Sequence, residues 1–196
     1  MNNLSSATAG WTAIATGVTG LLGLVFIILF FTIGQPFGTL NDICIGLTGI
    51  ASGILAWMLY TENPVHSPLN RSALSLALIG AAIVALGSIL VIFKITGWYL
   101  AGLYASVGNA LIGVWLFVLN YSIRQSNPWP HFLIVFGIGV GFIMALGLVT
   151  TPGIFQGIDS WEAAPWYINY IGLPGGLGYL VLYPLWCILL GRVFLK

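Results

Sequence analysis

Charge is what this sequence has least of: five Lys or Arg and four Asp or Glu make up 5% of 196 residues. A water-soluble domain carries about 25%, so an ordinary soluble fold is excluded. A net charge of +1 offers no basic face to neutralise a row of phosphates, which excludes nucleic-acid binding. Cysteine is nearly absent too. Cys44 and Cys187 fall at different depths of the apolar runs described below, separated by roughly 20 Å of helical rise, too far for a disulfide. Both are expected to be free, buried and apolar in behaviour. The only histidines, His66 and His131, have no supporting carboxylate pair, so no metal site is expected and no cofactor is assigned.

Further absences narrow the chemistry. No Asp or Glu lies at the middle of an apolar run, where a proton-coupled pump or exchanger keeps a carboxylate. Lys94 and Lys196 sit at run ends, whereas a retinal Schiff base needs a lysine deep in a bundle. There is no phosphate-cradling loop ending in Lys and Ser or Thr, no helical His pair of the metalloprotease kind, and no Ser elbow between glycines. The expectation is a protein without enzymatic chemistry.

What is abundant is apolar surface, with 59% hydrophobic residues. A spanning helix needs roughly 20 apolar residues, and six runs qualify: 11–33, 43–60, 73–93, 97–120, 132–149 and 173–195. They are continuously apolar, not alternating, so they read as helices and not as barrel strands. The predicted fold is an all-α, polytopic membrane protein, a compact single-domain bundle of six transmembrane helices with no soluble domain. Gly34, Pro36, Pro64, Pro68, Pro128 and Pro130 punctuate the joints. The longest joint, 150–172, carries Trp161, Trp166 and Tyr167 among Asp159, Ser160 and Glu162. It reads as a segment lying in the outer interface, or else as a lid over the bundle mouth.

With an even number of spans both termini share one side. Placing them inside puts Arg71, Arg124, Arg192 and Lys196 in the cytoplasm and Lys94 alone outside, as the positive-inside tendency requires. The first run carries no preceding Lys or Arg and has its small residues ahead of the apolar stretch, so it reads as a retained helix of a plasma or inner membrane protein. Small residues at spacing four, Ala9, Ala13 and Gly17 in the first run and Gly137 and Gly141 in the fifth among them, predict close helix contacts.

Three features could carry a ligand. Asp42 reads first as half of a capping box with Thr39 at the start of the second helix, and otherwise as a cation-binding group at an outer vestibule. Asn109 falls near the middle of the fourth run with Tyr104 close by, and its amide must find a partner, either a facing helix or a ligand. Pro184 should bend the sixth run near its centre, with Tyr179, Tyr183 and Trp186 filling or lining the gap so opened, and Trp166 above it. The expected function is a ligand-binding or transport-type bundle with an outward-opening, aromatic-lined pocket between helices 4 and 6. The alternative is a structural or accessory subunit docking on a larger membrane complex, with pigment, quinone or lipid at the joint. Membrane lipid, a small lipophilic or neutral ligand, other subunits or further copies of the chain are the partners in view. Six spans in a chain of this length, with a small-residue row in the first, is similar in outline to the membrane-embedded substrate-binding subunits of energy-coupling-factor vitamin transporters. That likeness is one of length and helix count, and carries no residue role.

Overall fold

The computed structural model describes residues 3–62, 67–126 and 128–196. His66 lies outside the described residues. The chain forms six helices, each long and apolar enough to cross a membrane: α1 (Asn3–Ile33), α2 (Phe37–Glu62), α3 (Pro68–Ile92), α4 (Trp98–Ile123), α5 (His131–Phe155) and α6 (Trp166–Phe194). No strand occurs among the described residues. Successive helices run antiparallel and pack each on the next, and α6 closes the ring onto α1. Both termini therefore meet at one end, where the Ser6 hydroxyl donates to the Phe194 carbonyl at 3.4 Å.

The helices outrun the apolar runs because backbone ladders continue until a residue stops them. Gly34, with φ of 99°, ends α1 in the left-handed conformation that helix C-termini favour. Ser67 caps α3, accepting from the Asn70 N–H at 3.1 Å with Pro68 in the first turn. The expected box of Thr39 and Asp42 is absent. α2 starts at Phe37, and it is the Gln35 side-chain oxygen that accepts from the Thr39 N–H at 3.4 Å and its hydroxyl at 3.3 Å. Asp42 stands more than a turn inside the helix.

The largest departure from expectation is the segment 150–172, which is mostly helix. α5 tightens to a 3-10 turn over Leu146–Thr150 and continues through Pro152 to Phe155, while α6 begins at Trp166 and carries Pro174 inside it. Only 156–165 remains as a connection. The cause is a close crossing: a Cβ at Gly175 would stand 2.6 Å from the Gly147 backbone nitrogen, so the two helices interlock where the prolines suggested a break.

Small residues seat the other crossings as expected. A Cβ at Gly108 would lie 2.6 Å from the Gly80 carbonyl between α3 and α4, and one at Gly141 would lie 2.6 Å from the Gly113 carbonyl between α4 and α5. Ala9 and Ala13 are fully buried.

Pro184 distorts α6 in a defined way. Lacking an N–H and crowding the carbonyl of Leu180, it is preceded by a π-helical segment, Gly178–Leu182, in which the Tyr183 N–H reaches back five residues to the Gly178 carbonyl. At and below that segment α6 lies against α1, with Gly17 and Gly20 seated on Pro184; above it, α6 leans toward the Leu146–Thr150 turn of α5. The bundle is therefore closed in its terminal half and splayed in the other.

The terminal half holds the core. Tyr183 and Trp186 stack at 6.3 Å between centroids, Trp129 packs edge-on against Trp186, and the Trp186 indole N–H donates to the Leu133 carbonyl at 3.2 Å. Tyr183, Trp186 and Cys187 are fully buried there, and both cysteines are free.

Candidate functional site: a cavity in the splayed half of the bundle

The far half of the bundle, opposite the termini, encloses a cavity of about 360 Å³. That is the size of a small-molecule pocket. Every helix except α5's regular part contributes: Ile27 and Phe31 from α1, Asn41, Asp42 and Ile45 from α2, Gly87 and Ser88 from α3, Trp98, Tyr99, Gly102 and Ala105 among others from α4, and Ile168, Asn169, Gly176 and Tyr179 among others from α6. Glycines and alanines such as Gly102, Ala105, Gly172 and Gly176 leave the volume, because they place no side chain where the helices diverge.

The wall is apolar and aromatic. Trp98, Tyr99, Trp161 and Tyr179 all face it. The polar groups are few, and their bonding differs by location. At the mouth they are fully engaged. The Tyr99 hydroxyl donates to Asn169 Oδ1 at 2.6 Å, Asn169 Nδ2 donates to the Trp161 carbonyl at 3.0 Å, and the Tyr99 and Trp161 rings meet edge-on at 6.4 Å. The Asp159 carboxylate accepts from the Gly97 N–H at 2.7 Å and the Leu100 N–H at 2.9 Å, satisfying donors that the start of α4 leaves free. Ile158 tucks beside Leu103 and Ile168. The connection 156–165 is thus fastened across the cavity mouth by one carboxylate, one amide and two aromatic rings.

Deeper in, the polar groups are not engaged. Asn41 is 1% exposed; its Nδ2 donates to the Gly23 carbonyl of α1 at 2.9 Å, but its Oδ1 has no partner. The Ser88 hydroxyl is likewise buried and unpartnered. Ser88 lies against α2 at Gly46, where a Cβ would stand 3.1 Å from its oxygen, one turn along α2 from Asp42. The Asp42 carboxylate is partly buried, lies within electrostatic reach of Tyr179, and makes no hydrogen bond or ion pair among the described residues.

The candidates from the sequence distribute unevenly over this geometry. Asp42 and Tyr179 line the cavity. Asn109 is buried, but its amide donates to the Ala105 carbonyl of its own helix at 2.9 Å, not to a facing helix. It borders a void of about 10 Å³ that shares Ile45, Tyr179 and Leu180 with the main cavity. Tyr104 packs at the α3–α4 crossing, where a Cβ at Gly87 would meet its Cβ at 2.8 Å. Tyr183 and Trp186 belong to the core below, and Trp166 stands 67% exposed at the start of α6, its ring against Tyr167. The ladder is distorted just before Pro184, as a π-helical segment, and the cavity lies above Tyr183 and Trp186, which do not line it.

No family model, curated protein or solved structure matches the chain. Its site is read from its own residues alone.

Asn41, Ser88, Tyr99 and Asn169 were not among the expected ligand-binding residues, and Trp161 was placed only in the outer joint. Ser88 meets α2 at Gly46, and Asn41 lies five residues further toward the far end of α2, so no single spacing in the sequence marks the two together. Among the described residues no three His, Cys, Asp or Glu gather to hold a metal.

Proposed function

We propose that this protein is a non-enzymatic integral membrane protein that binds a small lipophilic molecule in the cavity between α4 and α6, as a binding or transport-type bundle. The observation that carries the reading is the cavity itself. It measures about 360 Å³ in a bundle whose other half holds the buried core of Tyr183, Trp186 and Leu133. It is walled by aromatics, and the residues on its wall include the Asp42 carboxylate, which has no hydrogen bond or ion pair among the described residues. The reading places the termini in the cytoplasm and the cavity in the outer half, since Arg71, Arg124, Arg192 and Lys196 sit at the terminal end and Lys94 alone at the other.

The test is to crowd the cavity without touching the core. Gly176 lines it and has only the edge of the Tyr179 ring within 4 Å of a Cβ. Protein solubilised gently should carry a small molecule detectable by untargeted mass spectrometry, and Gly176→Phe should lose it while unfolding at the same temperature. A molecule retained equally by the variant, or none in the wild type, would overturn the reading.

The accessory-subunit reading has one feature in its favour, an open apolar groove between α2 and α3 floored by Gly53, Ala81, Ala82 and Ala85. It fits a partner's transmembrane helix by small-residue packing. Stoichiometric co-purification of another chain, lost on Ala82→Phe, would favour it.

A further inference from the structure

We infer that the ligand is a protonated amine with an apolar body, its ammonium group held at Asp42. This rests on reading the cavity as a ligand site and goes further by naming the chemistry of the occupant.

Among the described residues Asp42 is the only Asp, Glu, Lys, Arg or His that lines the cavity, and its carboxylate has neither ion pair nor hydrogen bond with them. Lys94, the one cation at that end, is exposed in the turn between α3 and α4 and does not line the cavity. A carboxylate taken partly out of water is costly until an opposite charge and hydrogen-bond donors reach it. Its neighbours in the wall do not supply them. Asn41 turns its NH₂ to the Gly23 carbonyl of α1, and the Ser88 hydroxyl has no hydrogen-bond partner among the described residues, so neither donates to the carboxylate. The carboxylate therefore lacks both donors and a counter-charge in the wall, and an anionic ligand would meet its repulsion there. An ammonium group brings up to three N–H donors and the missing charge in one atom.

The rest of the wall agrees. Trp98, Tyr99, Trp161 and Tyr179 present ring faces and edges around a largely apolar space, and aromatic faces attract organic cations more strongly once water is excluded. The apolar body has a way in. Ile27 and Phe31 of α1 and Leu173 and Gly176 of α6 line the cavity from the two helices that part above Pro184, and Phe31 and Leu173 are exposed on the outer surface. A lipophilic amine, which concentrates at a membrane interface with its charge toward the headgroups, matches an entrance from the side.

The experiment uses the full chain in detergent micelles with empty micelles as reference. Tritiated 4-phenylbutylamine is the probe, and 4-phenylbutan-1-ol, its neutral counterpart with the same body, is the competitor. The amine should bind saturably at one site per chain, and the alcohol should compete at least about ten-fold more weakly, as expected when a charged pair is lost. Asp42→Asn should weaken the amine by a similar factor and leave the alcohol unchanged. Equal binding of amine and alcohol by the wild type, or undiminished amine binding by a folded Asp42→Asn protein, would overturn the inference and leave a cavity for neutral lipophiles. The wild-type comparison stands even if the variant fails to fold. Failure of both probes to bind overturns the inference as well, and the small-molecule content of the purified protein then decides separately whether the cavity reading survives.

Discussion

The carboxylate of Asp159 sits where a side chain at Gly97 would have to go: a Cβ there would collide with it. Glycine at the start of α4 therefore does two things at once. It leaves its own N–H uncapped by any side chain of its own, and it admits a cap delivered from a connection 62 residues away. The mouth of the cavity is held shut by the same bond that completes a helix end.

Removing that bond should loosen the mouth before it loosens the bundle. Asp159→Ala is expected to cost about 1 kcal/mol, the usual worth of a helix cap. It should also raise hydrogen exchange in 156–165 well beyond its effect elsewhere. Uniformly faster exchange throughout the chain would show that Asp159 serves global stability and not the mouth.

The ring closure between α1 and α6 should be intolerant of a single methyl group. At Gly17 a Cβ would stand 2.5 Å from the Pro184 carbonyl oxygen and 2.6 Å from Ile188 Cγ1. Overpacking of this kind costs about 1–3 kcal/mol, so Gly17→Ala should lower the unfolding temperature in detergent. Gly139 is the control, exposed on α5 with nothing within 4 Å of a Cβ. Gly139→Ala should be neutral or stabilising by up to about 1 kcal/mol.

Asn109→Leu should shift unfolding only slightly, because the amide bonds its own helix and membrane-interior hydrogen bonds average about 0.6 kcal/mol. Probe binding should be little changed, since Asn109 borders only the small adjoining void. A large loss of binding would place its side chain in the main cavity.

Orientation is open to direct labelling. Cysteine introduced at Ser160 should react with an impermeant maleimide added to intact cells, and cysteine at Ser126 should not. The opposite pattern would reverse the assignment of sides.

The helices were legible because each is a long apolar run ended by Gly or Pro, and the interfaces because small residues recur at spacing four. The ends of α5 and α6 were not. Pro152 and Pro174 are breakers in isolation, yet a 3-10 turn meeting Gly175 absorbs them, and nothing local in the chain announces that crossing. Pro184 pointed to a gap beside α6, but not to its level, nor to the shares that α1, α2 and α3 have in the cavity wall. An aromatic residue beside a kink fills or lines according to which neighbour approaches, and at Tyr183 and Trp186 the neighbour is Leu133 and the rest of the core. Asn41 and Ser88 were passed over because polar residues near helix ends ordinarily face water. Only the pairing of helices shows that Asn41 turns to Gly23 of α1 and Ser88 to Gly46 of α2.

The closure of α6 onto α1 also sets an order of events during synthesis. Gly10 and Gly17 find their nearest partners in Pro184, Ile188, Phe194 and Leu195, and Gly20 its nearest in Pro184, so one side of α1 stays unmatched until α6 arrives. At about 5–20 residues per second, that wait is on the order of ten seconds or more. Throughout it, α1 is held by α2 alone, and a ribosome that stalls before Pro184 leaves a bundle with an open seam of glycines facing the lipid.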